Sequence, residues 1–279
     1  MKLYSGSWSV AYRKKGESLY NIVKNPSWGY AADPFLVEEN GKVYIFAELF
    51  DQREGKASLG YCTINNNMCS KWKVILKENF HMSYPHIFKM DGNWVICPES
   101  CEDKTVFLYK CKEFPDKWEK TNPFINDMDC SDTTFLCQDG IFYGVTCLFH
   151  ENPMKLLLFK YEDGKLTFSE KNPLIKGGEL ARSGGAYFND GNKTYRVSQD
   201  CSSEYGKSLV FTEFQLNWPS FSEKVVKRIH FDELLFDKKV NGIGIHTYNC
   251  SDNYETIDIK TRGINLIPRI WKNIYKFMK

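Results

Sequence analysis

The chain has 279 residues, 15% of them aromatic, and its 37 basic and 35 acidic residues give a formal net charge of +2. This balance excludes the strongly basic surface typical of nucleic-acid-binding proteins, and no basic stripe accompanies the aromatic residues. No apolar run approaches the roughly 20 residues that a membrane-spanning helix requires.

A nine-residue phrase that ends in glycine recurs along the chain. Four clear copies occupy residues 33–41, 84–92, 132–140 and 183–191, and their final glycines are 51, 48 and 51 residues apart. A weaker fifth copy follows at residues 245–253. Periods near 50 residues are typical of a repeated supersecondary unit such as a propeller blade. A plain β-sandwich gives no reason for such a period, so the pattern favours five blades.

Each repeat has the composition of short strands joined by tight turns. Pairs such as Asn40 with Gly41 and Asp91 with Gly92 supply the positive φ angles of hairpins, and aromatic, β-rich runs follow them, as at residues 42–46 and 93–96. We therefore predict an all-β fold, a five-bladed β-propeller that occupies residues 1–262 as a single domain.

The two ends of the chain carry additional signals. Residues 7–13 have strand character and are predicted to pair with the last blade, which removes its exposed edge. Helix is expected only at residues 231–236 and in a basic, amphipathic tail, residues 263–279. From residue 267 onward this tail has four basic residues and a set of Ile, Trp, Tyr and Phe at near-helical spacing. It forms either a short helix on an anionic membrane surface or a helix packed onto the propeller.

The cysteines and the N-terminus bear on the cellular compartment. Several of the ten cysteines lie inside predicted strands (Cys62, Cys97, Cys137 and Cys147), where a reduced cysteine acts as a small core hydrophobe. No C-x-x-C pair suggests structural zinc, and the first residues lack the apolar stretch of a secretory signal. We expect a reduced, cytoplasmic protein, and the membrane-surface alternative for the tail implies a peripheral contact with the inner membrane face through residues 267–279.

The repeat also predicts a site, because the first strand of each propeller blade lines the central channel. Two sets of equivalent positions therefore converge on one axis. One set is the first residue of each phrase with its neighbours, and the other is the end of the second strand of each blade. Strand residues that face a core are normally apolar, so polar residues at these positions predict a ligand site. The candidates are Asp33, Glu48, Tyr84, His86, Glu99, Asp132, Arg182, Arg196, Gln199 and His246. Carboxylates, Arg, His and aromatic residues together are suited to binding sugars.

The motif Ala32, Asp33, Pro34 resembles the five-bladed propeller glycosidases of glycoside hydrolase family 43 and the wider 43/32 superfamily. The resemblance implies that Asp33 is the general base and that Asp132, which opens blade three, orients and tunes the acid. The acid of that family is a glutamate that opens blade four. Here Arg182 and Ser183 stand at the equivalent place.

Phrases at residues 32–35, 80–88, 98–100, 182–185, 195–200, 205–206 and 244–246 are similar to the N-terminal propeller domain of plant glucosamine inositolphosphorylceramide transferases and to bacterial proteins linked to surface-glycan genes. The similarity covers about residues 25–262. It implies the architecture firmly and the reaction only loosely, because one fold hosts many functions.

Two functions follow from these residues. The first is an enzyme that hydrolyses or transfers a glycosidic bond in polysaccharide or glycolipid metabolism, with Asp33 as base, Asp132 to tune the acid, and Glu99 as the acid, with Glu48 and Glu179 as alternative acids. The remaining candidates would hold substrate. The alternative is a non-catalytic glycan-binding or scaffold domain that presents a lipid-linked or nucleotide-linked sugar to a partner glycosyltransferase in surface-polysaccharide biosynthesis.

No cofactor or metal is expected. A cation bound among His81, His86, His246, Asp33 and Asp132 is the weaker interpretation, because the sequence shows no fixed ligand spacing for it.

Overall fold

The computed structural model describes residues 4–264, which fold into a five-bladed β-propeller, as the repeat predicts. Strands β1 (Tyr4–Lys14) and β2 (Leu19–Ile22) belong to the last blade. Blade one contains β3 (Gly29–Glu39), β4 (Lys42–Asp51), β5 (Lys56–Asn65), β6 (Met68–Cys69) and β7 (Lys73–Leu76). Blade two contains β8 (Ser83–Met90), β9 (Asn93–Glu99), β10 (Tyr109–Glu113) and β11 (Lys117–Lys120).

The later blades follow the same antiparallel plan. Blade three contains β12 (Ser131–Gln138), β13 (Ile141–Leu148), β14 (Lys155–Glu162), β15 (Lys165–Phe168) and β16 (Ile175–Lys176). Blade four contains β17 (Arg182–Ser183), β18 (Phe188–Asp190), β19 (Lys193–Asp200), β20 (Ser208–Asn217) and β21 (Ser220–His230). Blade five adds β22 (Leu235–Phe236), β23 (Gly242–Gly244), β24 (Tyr248–Cys250) and β25 (Tyr254–Ile264).

The N-terminal strand closes the propeller as predicted. β1 pairs antiparallel with β25 along its whole length, from Tyr4 opposite Ile264 to Lys14 opposite Tyr254. Blade five is therefore built from both ends of the described chain, and neither of these two long strands is an open edge.

Helix is scarce within residues 4–264. Two single-turn 3-10 helices occur, Cys101–Asp103 and Phe231–Glu233. The segment 231–236, predicted as helical, forms the second of these and then a short strand that pairs parallel with β2. No helix in the described part of the chain is long and apolar enough to cross a membrane. The predicted C-terminal helix lies outside the described residues.

The core lies between adjacent blades. Phe46, Tyr84 and Tyr109 pack between blades one and two, and Phe135 and Phe159 contribute to the cluster between blades two and three. Burial of such aromatic faces stabilises each pair of blades.

The cysteines within residues 4–264 are free. Cys62, Cys97 and Cys147 are buried as expected. Cys137 was predicted to be a core residue, but it is exposed because it lies near the outer end of β12.

Candidate functional site

The inner strands of blades one to three share a β-bulge that shapes the site. The strand register shifts between Ala32 and Phe35 in blade one, and equivalent shifts occur in β8 and β12. Inside each bulge one residue has positive φ: 49° at Asp33, 45° at Tyr84 and 48° at Asp132. Left-handed backbone at non-glycine residues is uncommon and concentrates at functional sites. These are the first positions of the repeated phrases.

The second predicted ring lies directly beside the first. Glu48 is paired with Ala32, the residue before the bulge in blade one. Glu99 is paired with Ser83 in blade two, and Gln199 is paired with Arg182 in blade four. The second-strand ends are thus structurally equivalent, and in blade three the corresponding residue is Cys147.

Asp33 is held in a buried network with blade five. Its carboxylate accepts hydrogen bonds from the Tyr84 backbone N–H at 3.1 Å and from the Thr247 hydroxyl at 2.8 Å, and it lies 3.5 Å from His246 Nε2. His246 Nδ1 lies 2.5 Å from Asp258 Oδ2. Asp258 Oδ2 also accepts from the backbone N–H of Asp33 at 3.0 Å. The imidazole is therefore flanked by two carboxylates, one from the first blade and one from the last.

Arg182 organises the opposite half of the cluster. Its guanidinium donates to Asp132 and lies 3.5 Å from Glu99 Oε2. The Gln199 amide also donates to Asp132, at 2.9 Å. Above these groups the guanidinium lies 4.2 Å from the centre of the Phe149 ring. Arg182 thus joins blades two, three and four.

Tyr84 spans the channel. Its hydroxyl lies 2.9 Å from Thr134 Oγ1 and 3.0 Å from the Gly185 carbonyl, and it accepts from the Gly185 N–H at 2.9 Å. Since its ring is completely buried among blade-one and blade-two side chains, its contacts bridge blades two, three and four instead of facing solvent.

Three carboxyl groups of the cluster, those of Asp33, Glu48 and Asp132, have raised pKa values. Burial raises the pKa of Asp33, although His246 opposes this. Burial, and then the nearby charges of Asp33 and Glu99, raises the pKa of Glu48 well above its ordinary value. Burial raises the pKa of Asp132 to about 7 against the opposing effect of Arg182. Such shifts arise when several acids share one desolvated site.

His246 responds in the opposite sense to most buried histidines. Burial alone lowers its pKa, but the charges of Asp258 and Asp33 outweigh burial and raise it. The imidazole therefore tends to be charged when both neighbouring carboxylates are ionised.

Two predicted residues are not brought to the cluster. His86 packs between blades two and three, stacked on Phe88 at 4.9 Å, and its Nε2 accepts from the Phe135 backbone N–H. Burial lowers its pKa to about 3. Arg196 forms a buried ion pair with Glu223 at 2.9 Å. The structure therefore places both side chains among structural contacts.

Two further residues that the sequence suggested lie away from the axis or at its edge. Glu179, an alternative acid, forms an ion pair with Arg228 and its side chain is half exposed. His81 lies 3.6 Å from Glu48 at the edge of the cluster, and burial lowers its pKa.

Three site residues were missed by the sequence reasoning. Asp258 stands between Ile257 and Ile259 in a strand, and a lone carboxylate flanked by two isoleucines is a signal that could have identified it. Thr247 follows His246 directly. Tyr205 lies in a loop between β19 and β20, and its ring lies 5.1 Å from both the His246 ring and the Arg182 guanidinium.

Among the described residues, one group could hold a metal ion: Asp33, His246 and Asp258, whose potential ligand atoms all lie within 4.8 Å of one another. The short contact between His246 Nδ1 and Asp258 equally suits a charged imidazole between two carboxylates, since its positive charge offsets part of their negative charge.

A known family matches most of the chain. Residues 4–252 match the family described as glucosamine inositolphosphorylceramide transferase 1, N-terminal. The chain is also 27% identical over 223 residues to glucosamine inositolphosphorylceramide transferase 1 of Arabidopsis thaliana, which covers 76% of this chain and 29% of the plant protein. The chain thus spans less than a third of that relative.

Solved structures show the same propeller architecture. The catalytic domain of a family 62 α-L-arabinofuranosidase from Coprinopsis cinerea superimposes with a TM-score of 0.61 and 12% identity, covering 91% of this chain and 97% of that one. A thermostable family 43 glycoside hydrolase superimposes with a TM-score of 0.54 and 13% identity, covering 70% and 75%. At these identities the likeness shows the fold alone.

Proposed function

The chain belongs to the family of the N-terminal part of glucosamine inositolphosphorylceramide transferase 1, and we propose that it is a carbohydrate-active propeller. It binds a lipid-linked or nucleotide-linked sugar at the axial cluster and hydrolyses or transfers a glycosidic bond there. The observation that carries this proposal is the convergence of Asp33, Glu48, Glu99 and Asp132 in one buried cluster, where burial raises the pKa of Asp33, Glu48 and Asp132.

Chemistry at a glycosidic bond needs one group that donates a proton and one that accepts it. Asp33 suits the base, because its carboxylate accepts from Tyr84 and Thr247 and lies beside His246, and the last two oppose the rise in its pKa that burial causes. Glu48 suits the donor, because its raised pKa keeps it protonated at higher pH than an ordinary glutamate.

Glu99, which the sequence favoured as the acid, has a different environment. It lies beside the Arg182 guanidinium and accepts a hydrogen bond from the Cys101 thiol at 3.3 Å. The Glu99 carboxylate is therefore already engaged by two donors, Arg182 and Cys101. These contacts support Glu48 over Glu99 as the proton donor, with Glu99 and Arg182 left to bind substrate.

The test is a set of conservative variants assayed on one glycan panel. Sugar binding is measured by calorimetry and products are analysed after long incubation, for wild type and for Asp33→Asn, Glu48→Gln and Glu99→Gln. We expect a product with wild type, a loss of at least about 100-fold with the first two variants, and a smaller loss with Glu99→Gln. Full activity in both Asp33→Asn and Glu48→Gln would falsify the assignment.

A binding-only domain is the second candidate, and one observation favours it. Arg182 ties both Asp132 and Glu99 into ion pairs at the place where glycosidases of family 43 carry their acid. Saturable binding of a glycan by wild type, with no product after long incubation and no loss of affinity in Glu48→Gln, would support this alternative.

The proposed contact with a membrane follows from the path of β25. This strand carries Asp258 in the cluster, then Lys260, whose ammonium donates to the Tyr205 carbonyl at 2.6 Å, and it ends at Ile264. At about 3.3 Å per residue the strand continues roughly 13 Å past Lys260. Residues 265–279 follow this strand in the sequence and are rich in basic and apolar residues. We propose that they bring the site to an anionic lipid surface.

Sedimentation with lipid vesicles tests this contact. Wild type should bind vesicles that contain 30% phosphatidylglycerol more tightly than pure phosphatidylcholine vesicles, and added salt should weaken the binding. Replacement of Lys272 and Lys276 by Glu should abolish the preference, whereas replacement of Lys238 and Lys239 should leave it. Equal binding of the tail variant and wild type would contradict the proposal.

A further inference from the structure

We infer that Tyr205 is the platform on which a pyranose ring of the bound sugar stacks, an inference that rests on the proposed carbohydrate function. Tyr205 is 37% exposed although its ring lies beside the Arg182 guanidinium and the His246 imidazole. The ring centre is 5.1 Å from the Arg182 guanidinium and 5.1 Å from the His246 ring centre. An exposed aromatic ring therefore stands next to buried hydrogen-bonding groups.

The loop that carries Tyr205 is fixed on both sides. The Gly206 carbonyl accepts from the Ile245 backbone N–H at 3.0 Å. The backbones approach so closely that a Cβ at Gly244 would lie 2.0 Å from the Gly206 carbonyl oxygen. Gly206 itself has a φ of 72°, a conformation that glycine adopts without strain. The Tyr205 backbone is thereby held in place before any ligand arrives.

Side chains of blade five complete the support. Lys260 donates to the Tyr205 carbonyl at 2.6 Å and its ammonium lies 5.6 Å from the ring centre. The Trp8 ring contacts Tyr205 edge-on at 5.9 Å and stacks on His246 at 3.9 Å. These contacts hold the ring in place while part of the residue stays open to solvent, and this open part is where a ligand would stack. A pre-organised contact costs little ordering entropy on binding.

The chemistry of the surroundings selects a sugar ring. A pyranose has an apolar face of C–H groups that stacks on an aromatic ring, and hydroxyl groups at its edge that need hydrogen-bond partners. The side chains of Glu99 and Arg182 each retain slight exposure, 10% and 8%. Arg182 lies 5.1 Å from the centre of the Tyr205 ring, and Glu99 lies beside Arg182. A sugar ring stacked on Tyr205 can therefore place its hydroxyls against both side chains. The structure thus assigns Tyr205 to the cyclic part of the substrate.

Saturation-transfer NMR on the full chain tests the inference. The probes are the methyl pyranosides of glucose, galactose, mannose, glucosamine and N-acetylglucosamine, with sorbitol as an open-chain control. Wild type should bind at least one pyranoside, with transfer strongest at the C–H protons of one ring face, and should bind sorbitol more weakly. Tyr205→Ala should weaken that binding about tenfold, a typical value for loss of one stacking contact.

Matched variants separate stacking from folding. Tyr205→Phe and Tyr205→Trp keep a ring and should stay within about threefold of wild type, whereas Tyr205→Leu keeps apolar bulk without a ring and should resemble Tyr205→Ala. Met68→Ala, at an exposed residue of blade one, should have no effect. Unchanged affinity in both Tyr205→Ala and Tyr205→Leu overturns the inference and leaves the proposed function intact. If no pyranoside binds wild type, both are overturned.

Discussion

The guanidinium of Arg182 donates a hydrogen bond to the carboxylate of Asp132, so the inner strands of blades three and four meet through a buried ion pair. Asp132 also accepts from the Gln199 amide. Even with these partners, burial raises the pKa of Asp132 to about 7. The stability of the propeller at this point therefore depends on one arginine.

Arg182→Met should destabilise the protein in a pH-dependent way. Removal of one partner from a buried ion pair typically costs about 3 kcal/mol or more, because the remaining charge is left uncompensated. The cost should be largest at pH 8, where Asp132 is ionised, and smaller at pH 5, where Asp132 can take up a proton. Urea unfolding at both pH values measures the difference, with Arg53→Met on the exposed surface of blade one as control. A pH-independent loss would show that packing, and not charge, is what Arg182 contributes.

The raised pKa of Glu48 predicts a second way in which the stability of the protein depends on pH. Its pKa is raised by burial and by Asp33 and Glu99, so the folded protein holds a proton that the unfolded chain releases above about pH 4.3. The stability of wild type therefore falls as the pH rises from there through the raised pKa. Glu48→Gln removes this titration and should gain stability relative to wild type as the pH goes from 5 to 8, by at most about 1.4 kcal/mol per pH unit.

Thermal unfolding of both proteins at pH 5, 6, 7 and 8 measures the difference in stability between Glu48→Gln and wild type. Glu113→Gln, at an exposed ion pair with Lys117, is the control, and its difference from wild type should stay within about 0.5 kcal/mol throughout. A gap between Glu48→Gln and wild type that is constant with pH would mean that Glu48 ionises in the folded protein as it does in the unfolded chain.

Tyr84 gives a prediction that separates structure from substrate binding. Its hydroxyl donates to the Gly185 carbonyl and accepts from the Gly185 N–H across the channel. Tyr84→Phe leaves these buried backbone groups without their partner, at a cost of about 1–3 kcal/mol. Urea unfolding should show this loss, while Tyr195→Phe, whose ring stacks on Phe188, should show little. Full stability of Tyr84→Phe would indicate that its hydroxyl is available to a ligand.

The repeat in the sequence was sufficient to predict the blades and most of the axial residues, because equivalent positions in a propeller are equivalent in space. Glu48, Glu99 and Gln199 do occupy matching positions. Alternation along β19 could also have separated Arg196 from Gln199, since residues three apart face opposite sides of a strand.

Other features needed the structure. The bulge at Tyr84 changes the alternation of side chains along β8, so His86 faces the space between blades although its position in the repeat suggested the channel. No residue type common to Asp33, Tyr84 and Asp132 marks that bulge in the sequence. The role of Tyr205 depends on how a loop packs against Trp8 and Gly244, and such contacts join residues that are far apart in the chain.

Gly185 provides the sharpest test of how the blades meet at the axis. Its φ is 147°, and a Cβ at this position would lie 1.9 Å from the Tyr248 carbonyl oxygen in blade five. Since that oxygen belongs to the backbone, the contact cannot be relieved by a side-chain rotation. Gly185→Ala should therefore force blades four and five apart. Overpacking and backbone strain together should lower the free energy of unfolding by at least about 3 kcal/mol.

Gly41→Ala is the matched control, because Gly41 also has a positive φ, 73°, but a Cβ there would meet nothing within 4 Å. It should lose only about 1–2 kcal/mol, the cost of the left-handed conformation itself. Urea unfolding of the two variants, measured side by side, gives the difference that is due to the contact between blades. Equal losses would mean that blades four and five can separate at Gly185 without penalty, and that the close approach of Gly185 to Tyr248 does not constrain the site.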